Sequence, residues 1–254
     1  MSMAFFALSD AISFLTVLPF PCPLIRANPA QRISRALVWF PLVGAGVGGV
    51  GALVAFGSTL WWDPSVGALL GLAAMVWLTG GLHLDGLTDT LDGLACHRGP
   101  KETLGVMRDS RIGAMAAAGL FFLLGIKWAF LAHLPSYAWF RVLVATGCLS
   151  RLGVVFSAQF FPYVPGEKGL GRLATDHKSP SIAALAFVIA CLLVGVVLHP
   201  LQGAVSLALM FALVWIANRF FLVRLGGITG DTLGAVSELI EVALLAFLSI
   251  SGSF

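Results

Sequence analysis

Long apolar stretches separated by short polar segments run through this sequence of 254 residues. A helix needs about 20 residues to cross a bilayer. The stretches that are long enough are residues 36–57, 65–82, 113–134, 137–158, 181–199, 201–222 and 233–250. The composition agrees, because 59% of the residues are hydrophobic and only 11% are charged, against about a quarter charged in soluble proteins. The sequence therefore predicts an all-α, polytopic integral membrane protein with about seven transmembrane helices.

Residues 1–35 precede the first span and have a different pattern. Ser9, Asp10 and Ser13 fall on one face of a helix and apolar side chains spread over the other, which is typical of a helix lying in the membrane interface. A Pro-rich connector follows it. Nothing in the sequence suggests a second domain, so we expect residues 1–254 to form a single transmembrane domain.

Basic residues occur in every second connection between the predicted spans. The predicted cytoplasmic loops, which carry Lys and Arg, are residues 83–112, 159–180 and 223–232. The connections around Asp63, Pro135 and Pro200 carry none. Because Lys and Arg are retained on the cytoplasmic side, we expect a cytoplasmic N-terminus and an external C-terminus. The net charge of +3 fits this topology and contact with anionic lipid, so no nucleic-acid partner is expected.

Three carboxylates share one helical stripe directly after the second predicted span. Asp85, Asp89 and Asp92 are spaced i, i+4 and i+7, which places them on the same face of a helix. Such anions repel one another unless a cation lies between them, and Mg²⁺ is usually held by carboxylates together with substrate phosphates. The stripe therefore predicts a Mg²⁺ or Mn²⁺ site. A solvated helix end is the alternative, which we disfavour because acidic groups at membrane depth are usually functional.

A second acidic segment begins the last span, between Gly226 and Glu241. Asp231, Glu238 and Glu241 can share a helical face. An unpaired carboxylate inside an apolar segment is costly, so the glutamates need a cation, a proton or an arginine. We expect Asp231 and Glu238 to bind a metal or to support the first metal site. Arg151 is the candidate partner for the glutamates.

Basic and glycine-rich segments near these carboxylates predict contacts to phosphate. Arg108 and Arg111 can hold a phosphate bidentately, although composition alone explains them equally well as positive-inside anchors. The loop around Lys168 is equally consistent with a solvated connector. The candidate phosphate ligands are Arg108, Ser110, Arg111, Arg151, Lys168, Thr229 and Gly230.

Two basic residues, Lys127 and Arg141, lie inside apolar stretches rather than at their cytoplasmic ends. In the predicted topology both lie toward the far side of the membrane. Long basic side chains in such positions snorkel to the surface. We therefore expect both of them to reach that surface.

A carboxylate-bound divalent ion beside several arginines fits phosphoryl-group transfer. The sequence contains no G-x-x-x-x-G-K-[ST], no G-x-S-x-G and no H-E-x-x-H. These absences argue against a P-loop ATPase, a familiar serine hydrolase and a zinc protease. What is left is an integral-membrane transferase that acts on an activated pyrophosphate.

Several motifs, in the same order and over most of the chain, resemble the cobalamin synthase family. They are FLTVLPFP (14–21), RALVWFPLVGAGVG (35–48), GGLHLDGLTDTLDG (80–93), MRDSRIG (107–113), Ser150 with Arg151, EKGLG (167–171), and GGITGDTLGA (226–235) with Glu238 and Glu241. The first and last of the acidic motifs are specific. One departure is Val17, where the family often has a polar or basic residue, and it affects no candidate site residue.

The resemblance implies a Mg²⁺-dependent enzyme of a bacterial or archaeal cytoplasmic membrane, with its active site on the cytoplasmic face. Its substrates would be adenosylcobinamide-GDP and α-ribazole or α-ribazole 5′-phosphate, and GMP would be released. The candidates for the base that takes the ribose hydroxyl proton are His83, Asp92 and Asp109. Membrane lipid is an expected neighbour. A homo-oligomer and an assembly with other late corrinoid-pathway enzymes both stay open.

Two other functions are also open at this point. A CDP-alcohol phosphotransferase also holds metal with aspartates on membrane helices, but its motif is D-G-x-x-A-R, whereas residues 85–90 are DGLTDT. An ion-coupled transporter would place its acidic residues near the bilayer midplane at interrupted helices. Here most of them cluster near helix ends on one side.

Overall fold

The computed structural model describes residues 3–20, 29–167 and 169–251. Within these residues the chain is helical, with two 3₁₀ turns and an isolated β-bridge between Tyr163 and Ile228. The helices are α1 (Met3–Leu15), α2 (Pro29–Ala36), α3 (Phe40–Ser58), α4 (Pro64–Thr79), α5 (Leu82–Ala95), α6 (Pro100–Met107), α7 (Ala114–His133), α8 (Trp139–Phe160), α9 (Leu170–Thr175), α10 (Pro180–Val197), α11 (Pro200–Leu225) and α12 (Gly230–Ile250). The prediction of an all-α protein is confirmed.

Six helical segments of the described residues are long and apolar enough to cross a membrane, and they match six of the seven predicted spans. They are Ala30–Ser58, Ala114–His133, Ser136–Phe160, Pro180–Val197, Pro200–Leu225 and Gly230–Ile250. The remaining predicted span, residues 65–82, corresponds to α4. A polytopic membrane protein with six or seven spans is thus confirmed.

Helix α4 ends earlier than its apolar pattern predicts. Gly80 and Gly81 have φ angles of 61° and 71°, a left-handed conformation that glycine adopts readily and that ends a helix. The chain then continues as α5 at an angle of 88° to α4. We therefore treat α4 as the membrane-spanning part and α5 as a helix that lies outside the spans.

Two of the segments predicted as cytoplasmic loops contain helices. Residues 83–112 hold most of α5 and all of α6, and residues 159–180 hold α9. Helix α5 packs against both α12 and α7. Its aspartates are therefore carried on a fixed helix beside the start of the last span.

Helix α8 is the centre of the bundle, and 83% of its most apolar window is buried. It packs tightly against α3 because glycines let the two backbones approach. A Cβ atom on Gly44 would collide with the backbone oxygen of Gly147, and one on Gly48 would collide with that of Leu143. Small residues permit such close contact between membrane helices.

Helix α1 directs part of its polar face into the protein, which the sequence pattern did not predict. Ser9 and Asp10 are buried, and the Asp10 carboxylate is ion-paired with Arg32 of α2. The ion pair explains the difference, because a charged group is buried only when it is paired. Phe14 and Leu15, at the end of α1, also pack against the core.

Candidate functional site

The start of α12 lies directly against the first turns of α5. A Cβ atom on Gly86 would lie 2.7 Å from the backbone oxygen of Asp231, and one on Gly234 would lie 3.0 Å from the backbone oxygen of His83. Glycine at both positions therefore allows the helices to touch. This contact brings Asp231 to the side of α5 that carries Asp85 and Asp89.

We call Asp85, Asp89 and Asp231 the acidic cluster. The Asp231 carboxylate lies within electrostatic reach of the other two and of Glu167. Among the described residues, no Lys or Arg forms an ion pair with any member of the cluster. Three neighbouring carboxylates are thus without a compensating positive charge in the described part of the chain.

The charge imbalance changes the acid–base behaviour of Asp89. Partial burial, together with the negative charges of Asp85 and Asp92, raises the pKa of Asp89 to about 6. Burial and like charges both disfavour the ionised form of a carboxyl group. A bound cation would remove this penalty.

The acidic cluster suits a hard divalent ion by donor type, because Mg²⁺ prefers carboxylate oxygens. However, no three His, Cys, Asp or Glu side chains in the described ranges are arranged as a ready metal site. The five predicted metal ligands are therefore not brought together as a set. The donor chemistry and the uncompensated charge fit Mg²⁺, and the side chains would have to converge on it.

Asp92, the third member of the stripe, caps α7 while its charge still reaches Asp89. Its carboxylate accepts hydrogen bonds from the backbone N–H groups of Gly113 and Ala116, at 2.5 Å and 2.9 Å. Free N–H groups at a helix start need such acceptors, and a carboxylate is favoured there by the helix dipole. The structure thus gives Asp92 a capping role instead of the predicted metal-binding and proton-accepting roles.

Four charged side chains form a second group deeper in the bundle, which we call the buried ion cluster: Lys127, Arg151, Glu238 and Glu241. Lys127 Nζ lies 2.5 Å from Glu238 Oε2 and 3.1 Å from Glu241 Oε2. Arg151 Nη1 lies 3.3 Å from Glu241 Oε2 and 2.7 Å from the hydroxyl of Ser150. All four charged side chains are at most 6% exposed.

The buried ion cluster corrects three predictions. Lys127 does not snorkel to the surface, because two carboxylates neutralise it inside the protein. Glu238 is ion-paired with Lys127 and is not part of the acidic cluster. Arg151 takes the role of partner to Glu241 and does not line the large cavity described below, so it is not placed to bind phosphate there.

His83 lies between the two groups. The imidazole is buried, and its Nδ1 lies 3.5 Å from Nη2 of Arg151. Burial, and after it the positive charge of this guanidinium, lowers the pKa of His83 well below its usual value, so the neutral ring is favoured. His83 also lines the large cavity, so a neutral base is available there.

A cavity of about 640 Å³ opens beside the acidic cluster. Asp231, Arg108 and Glu167 line part of it, and Arg108 is ion-paired with Glu167 across the space between two loops. Arg108 is 63% exposed. A substrate anion in the cavity could therefore bind the Arg108 guanidinium if Glu167 released that side chain.

The cavity is also lined by Thr229 and Gly230, two of the residues predicted from the sequence to bind phosphate. Their hydrogen-bonding groups are partly used. The Thr229 hydroxyl accepts from the backbone N–H of Thr232 in a capping box, and the N–H of Gly230 donates to the Tyr163 hydroxyl at 3.2 Å. These two residues thus fix the start of α12, which carries Asp231.

The remaining predicted site residues lie apart from the acidic cluster. Asp109 accepts hydrogen bonds from Arg111, which holds the pKa of Asp109 down at about 2. A carboxylate with so low a pKa is a poor proton acceptor. Arg111 and Ser110 are exposed and do not line the cavity, and Lys168 lies outside the described residues.

The sequence of the chain matches the family described as cobalamin-5-phosphate synthase over residues 7–249. The chain belongs to this family. A relative from Roseiflexus sp. (strain RS-1) is 37% identical over 247 residues, covering 97% of this chain and 90% of the relative. A relative from Herpetosiphon aurantiacus is 36% identical over 242 residues, covering 94% of each. Both are named adenosylcobinamide-GDP ribazoletransferase, and no solved structure matches.

Family membership confirms the resemblance drawn from the motifs. Two residues of this chain were nevertheless not predicted to have the contacts that the structure shows, Glu167 and Lys127. Glu167 is one of two acidic residues, with Asp176, in an otherwise basic loop, a signal that pointed to a nearby cation. Lys127 carried a similar signal, because two glutamates in an apolar span require a buried positive charge.

Proposed function

We propose that this chain catalyses the reaction for which its relatives are named, as an adenosylcobinamide-GDP ribazoletransferase. The observation that supports this proposal best is the acidic cluster. Its members have no ion-pair partner among the described residues, and Asp231 lines a cavity large enough for a small substrate, whereas Asp85 and Asp89 lie behind Asp231 and outside the lining. Enzymes that act on pyrophosphates need positive charge between carboxylates and phosphate oxygens. Family membership supplies the identity of the pyrophosphate.

In the proposed reaction a ribose hydroxyl of α-ribazole, or of its 5′-phosphate, attacks the phosphorus attached to cobinamide. A new phosphorus–oxygen bond forms to the ribose, and the bond between that phosphorus and the bridging oxygen breaks. GMP leaves with the bonding electrons, and the hydroxyl proton passes to a base. The products are GMP and adenosylcobalamin or its 5′-phosphate.

We propose Asp85, Asp89 and Asp231 as the residues that would hold Mg²⁺, with Mn²⁺ as the alternative ion. The metal would neutralise negative charge on the pyrophosphate and make GMP a better leaving group. Arg108 would bind the same phosphate oxygens once it exchanges Glu167 for the substrate. Glu167 lies near both Arg108 and Asp231, so it would leave the phosphate region as the substrate enters.

His83 is the proposed proton acceptor. It lines the cavity, and burial and the guanidinium of Arg151 keep it neutral. The two other candidates are less suitable, because Asp92 caps α7 and the hydrogen bonds from Arg111 lower the pKa of Asp109 to about 2, which makes it a weak base. The lowered pKa weakens His83 as a base, so it would have to take the proton while the hydroxyl attacks phosphorus and not before.

The cavity and the acidic cluster lie on the side of the bundle to which the predicted cytoplasmic loops belong. We propose that this side faces the cytoplasm, with the C-terminus outside, in a bacterial or archaeal cytoplasmic membrane. Both substrates would then enter from the compartment in which nucleotides are made. Lipid contact and assembly with other enzymes remain part of this proposal.

The function is tested by release of GMP. Purified protein in lipid nanodiscs would be mixed with adenosylcobinamide-GDP, α-ribazole and Mg²⁺, and GMP and the corrinoid product would be followed by chromatography. We expect both products in equal amounts, and only when all three components are present. Release of GMP without α-ribazole would indicate hydrolysis, and absence of GMP release under every condition would contradict the proposed function.

A further inference from the structure

One wall of the large cavity is apolar. Phe14 and Leu15 of α1, Phe40 of α3, Val154 of α8 and Leu233 of α12 line it. Four of them belong to the main hydrophobic cluster, and Phe14 packs against that cluster. The rings of Phe14 and Phe40 are 5.5 Å apart and tilted by 34°. The wall is therefore supported by the core of the protein.

The rest of the lining comes mainly from loops and helix starts, and it contains all of the charged side chains that line the cavity. It includes Asp231, Glu167, Arg108 and the ring of Tyr163. The cavity thus has an apolar part next to a charged part. Its natural occupant has a flat or bulky apolar end joined to an end that carries hydroxyl or phosphate groups.

The volume limits the occupant further. A cavity of about 640 Å³ lies within the range of about 300–1,000 Å³ that encloses small organic ligands. A nucleoside or its monophosphate fits this range. A corrin ring with its side chains and a nucleotide is much larger, so the cavity cannot enclose adenosylcobinamide-GDP as a whole.

Three aromatic bases take part in the proposed reaction, the benzimidazole of α-ribazole and the guanine and adenine of adenosylcobinamide-GDP. Guanine carries amide and amino groups on its edge, and burying them without partners is costly. Adenine, like guanine, carries an amino group on its edge that needs a hydrogen-bond partner when it is buried. The benzimidazole of α-ribazole has only ring nitrogens and otherwise presents carbon. A wall of Phe, Leu and Val side chains therefore suits benzimidazole and disfavours guanine and adenine.

We infer that this apolar wall is the specificity pocket for the base of the lower-ligand nucleoside, with Phe14 stacking on the base. The inference rests on the proposed function and names the substrate that occupies this part of its site. It gives the end of α1 a direct role in substrate selection. The ribose then lies toward Asp231 and His83, where its hydroxyl is to react.

The test compares two phenylalanines of α1. Phe14 lines the cavity, and Phe6 lies on the same helix, is also partly buried and does not line the cavity. We expect Phe14→Ala to raise the KM for α-ribazole about tenfold, since the loss of an aromatic contact is worth about one power of ten. The KM for adenosylcobinamide-GDP should stay unchanged, and Phe6→Ala should change neither constant.

A second pair of variants on α8 guards against a folding defect. Val154→Ala enlarges the proposed pocket, whereas Val144→Ala changes a valine of similar exposure, 7% against 5%, that does not line it. We expect only Val154→Ala to weaken α-ribazole binding, measured by calorimetry without the corrinoid. Binding needs no turnover, so a failure of catalysis does not hide the result.

The outcomes separate this inference from the proposed function. A rise in the KM for adenosylcobinamide-GDP in place of α-ribazole would show that the wall holds guanosine or part of the corrinoid. Unchanged constants in both cavity variants would show that the base lies elsewhere. In either case wild-type GMP release leaves the proposed function standing, whereas a wild-type protein that binds α-ribazole and releases no GMP contradicts that function alone.

Discussion

The protein holds two groups of carboxylates that differ in their partners. In the buried ion cluster, Glu238 and Glu241 face Lys127 and Arg151, so two negative charges meet two positive charges. In the acidic cluster, carboxylates face one another and no ion pair within the described residues neutralises them. The charges of the first group balance one another, whereas those of the second group do not.

This difference separates a structural role from a binding role. A balanced, buried ion pair is strongly destabilised when one partner is removed, because a charge is left uncompensated. An unbalanced cluster repels itself, so removing a charge relieves strain in the protein while it removes a ligand for a cation. Charge balance, more than the presence of acids in an apolar chain, thus distinguishes the group that we propose to bind a metal.

The largest effect is expected from Asp89→Asn. The substitution removes one proposed metal ligand, and loss of metal-assisted charge neutralisation is worth several kcal/mol, so kcat/KM should fall about 10³-fold or more. Thermal unfolding of the metal-free protein should occur at the same or a higher temperature, because repulsion is reduced. GMP release and circular dichroism measure the two results, and near-normal turnover at limiting Mg²⁺ would rule out this ligand assignment.

The opposite pattern is expected from Glu241→Gln in the buried ion cluster. Arg151 would then lose its carboxylate partner, since Glu238 is ion-paired with Lys127, and an unpaired buried charge costs about 3–5 kcal/mol. The unfolding temperature in detergent should fall markedly, and activity should fall with the amount of folded protein. The charge-balanced double variant Lys127→Met/Glu238→Gln should be less damaging, and a Glu241→Gln protein of normal stability would contradict the structural role.

The sequence predicted the spans and the acidic stripe well because both depend on local periodicity. Apolar length identifies a span, and the spacing of Asp85 and Asp89 identifies a helical face. It did not predict that Asp92 caps α7 or that Lys127 reaches Glu238, 111 residues along the chain, because both contacts depend on how distant helices pack. The bend after α4 was also missed, since a glycine pair inside an apolar run does not reveal its φ angles.

Addition of Mg²⁺ tests the same comparison without turnover, and the expected effect is smaller. A ligand that binds only the folded protein stabilises it, by about 2.7 kcal/mol at a concentration 100 times its dissociation constant. We expect Mg²⁺ to raise the unfolding temperature of the wild type but not that of Asp89→Asn. Glu241→Gln should still respond to Mg²⁺, because its acidic cluster is intact. Equal stabilisation of all three proteins would indicate a metal site elsewhere.

The smallest effect is expected from Asp92→Ala, which tests whether the third aspartate of the stripe belongs to the metal or to the fold. Its carboxylate accepts from the N–H groups of Gly113 and Ala116, and loss of a helix cap costs about 0.5–2 kcal/mol. Stability should fall by that amount in denaturant titrations, while stabilisation by Mg²⁺ should persist. Asp92→Asn keeps an acceptor oxygen and should recover most of the loss. If Asp92→Ala instead abolished the response to Mg²⁺, Asp92 would turn from α7 to the metal in the working enzyme, and the acidic cluster would gain a fourth carboxylate.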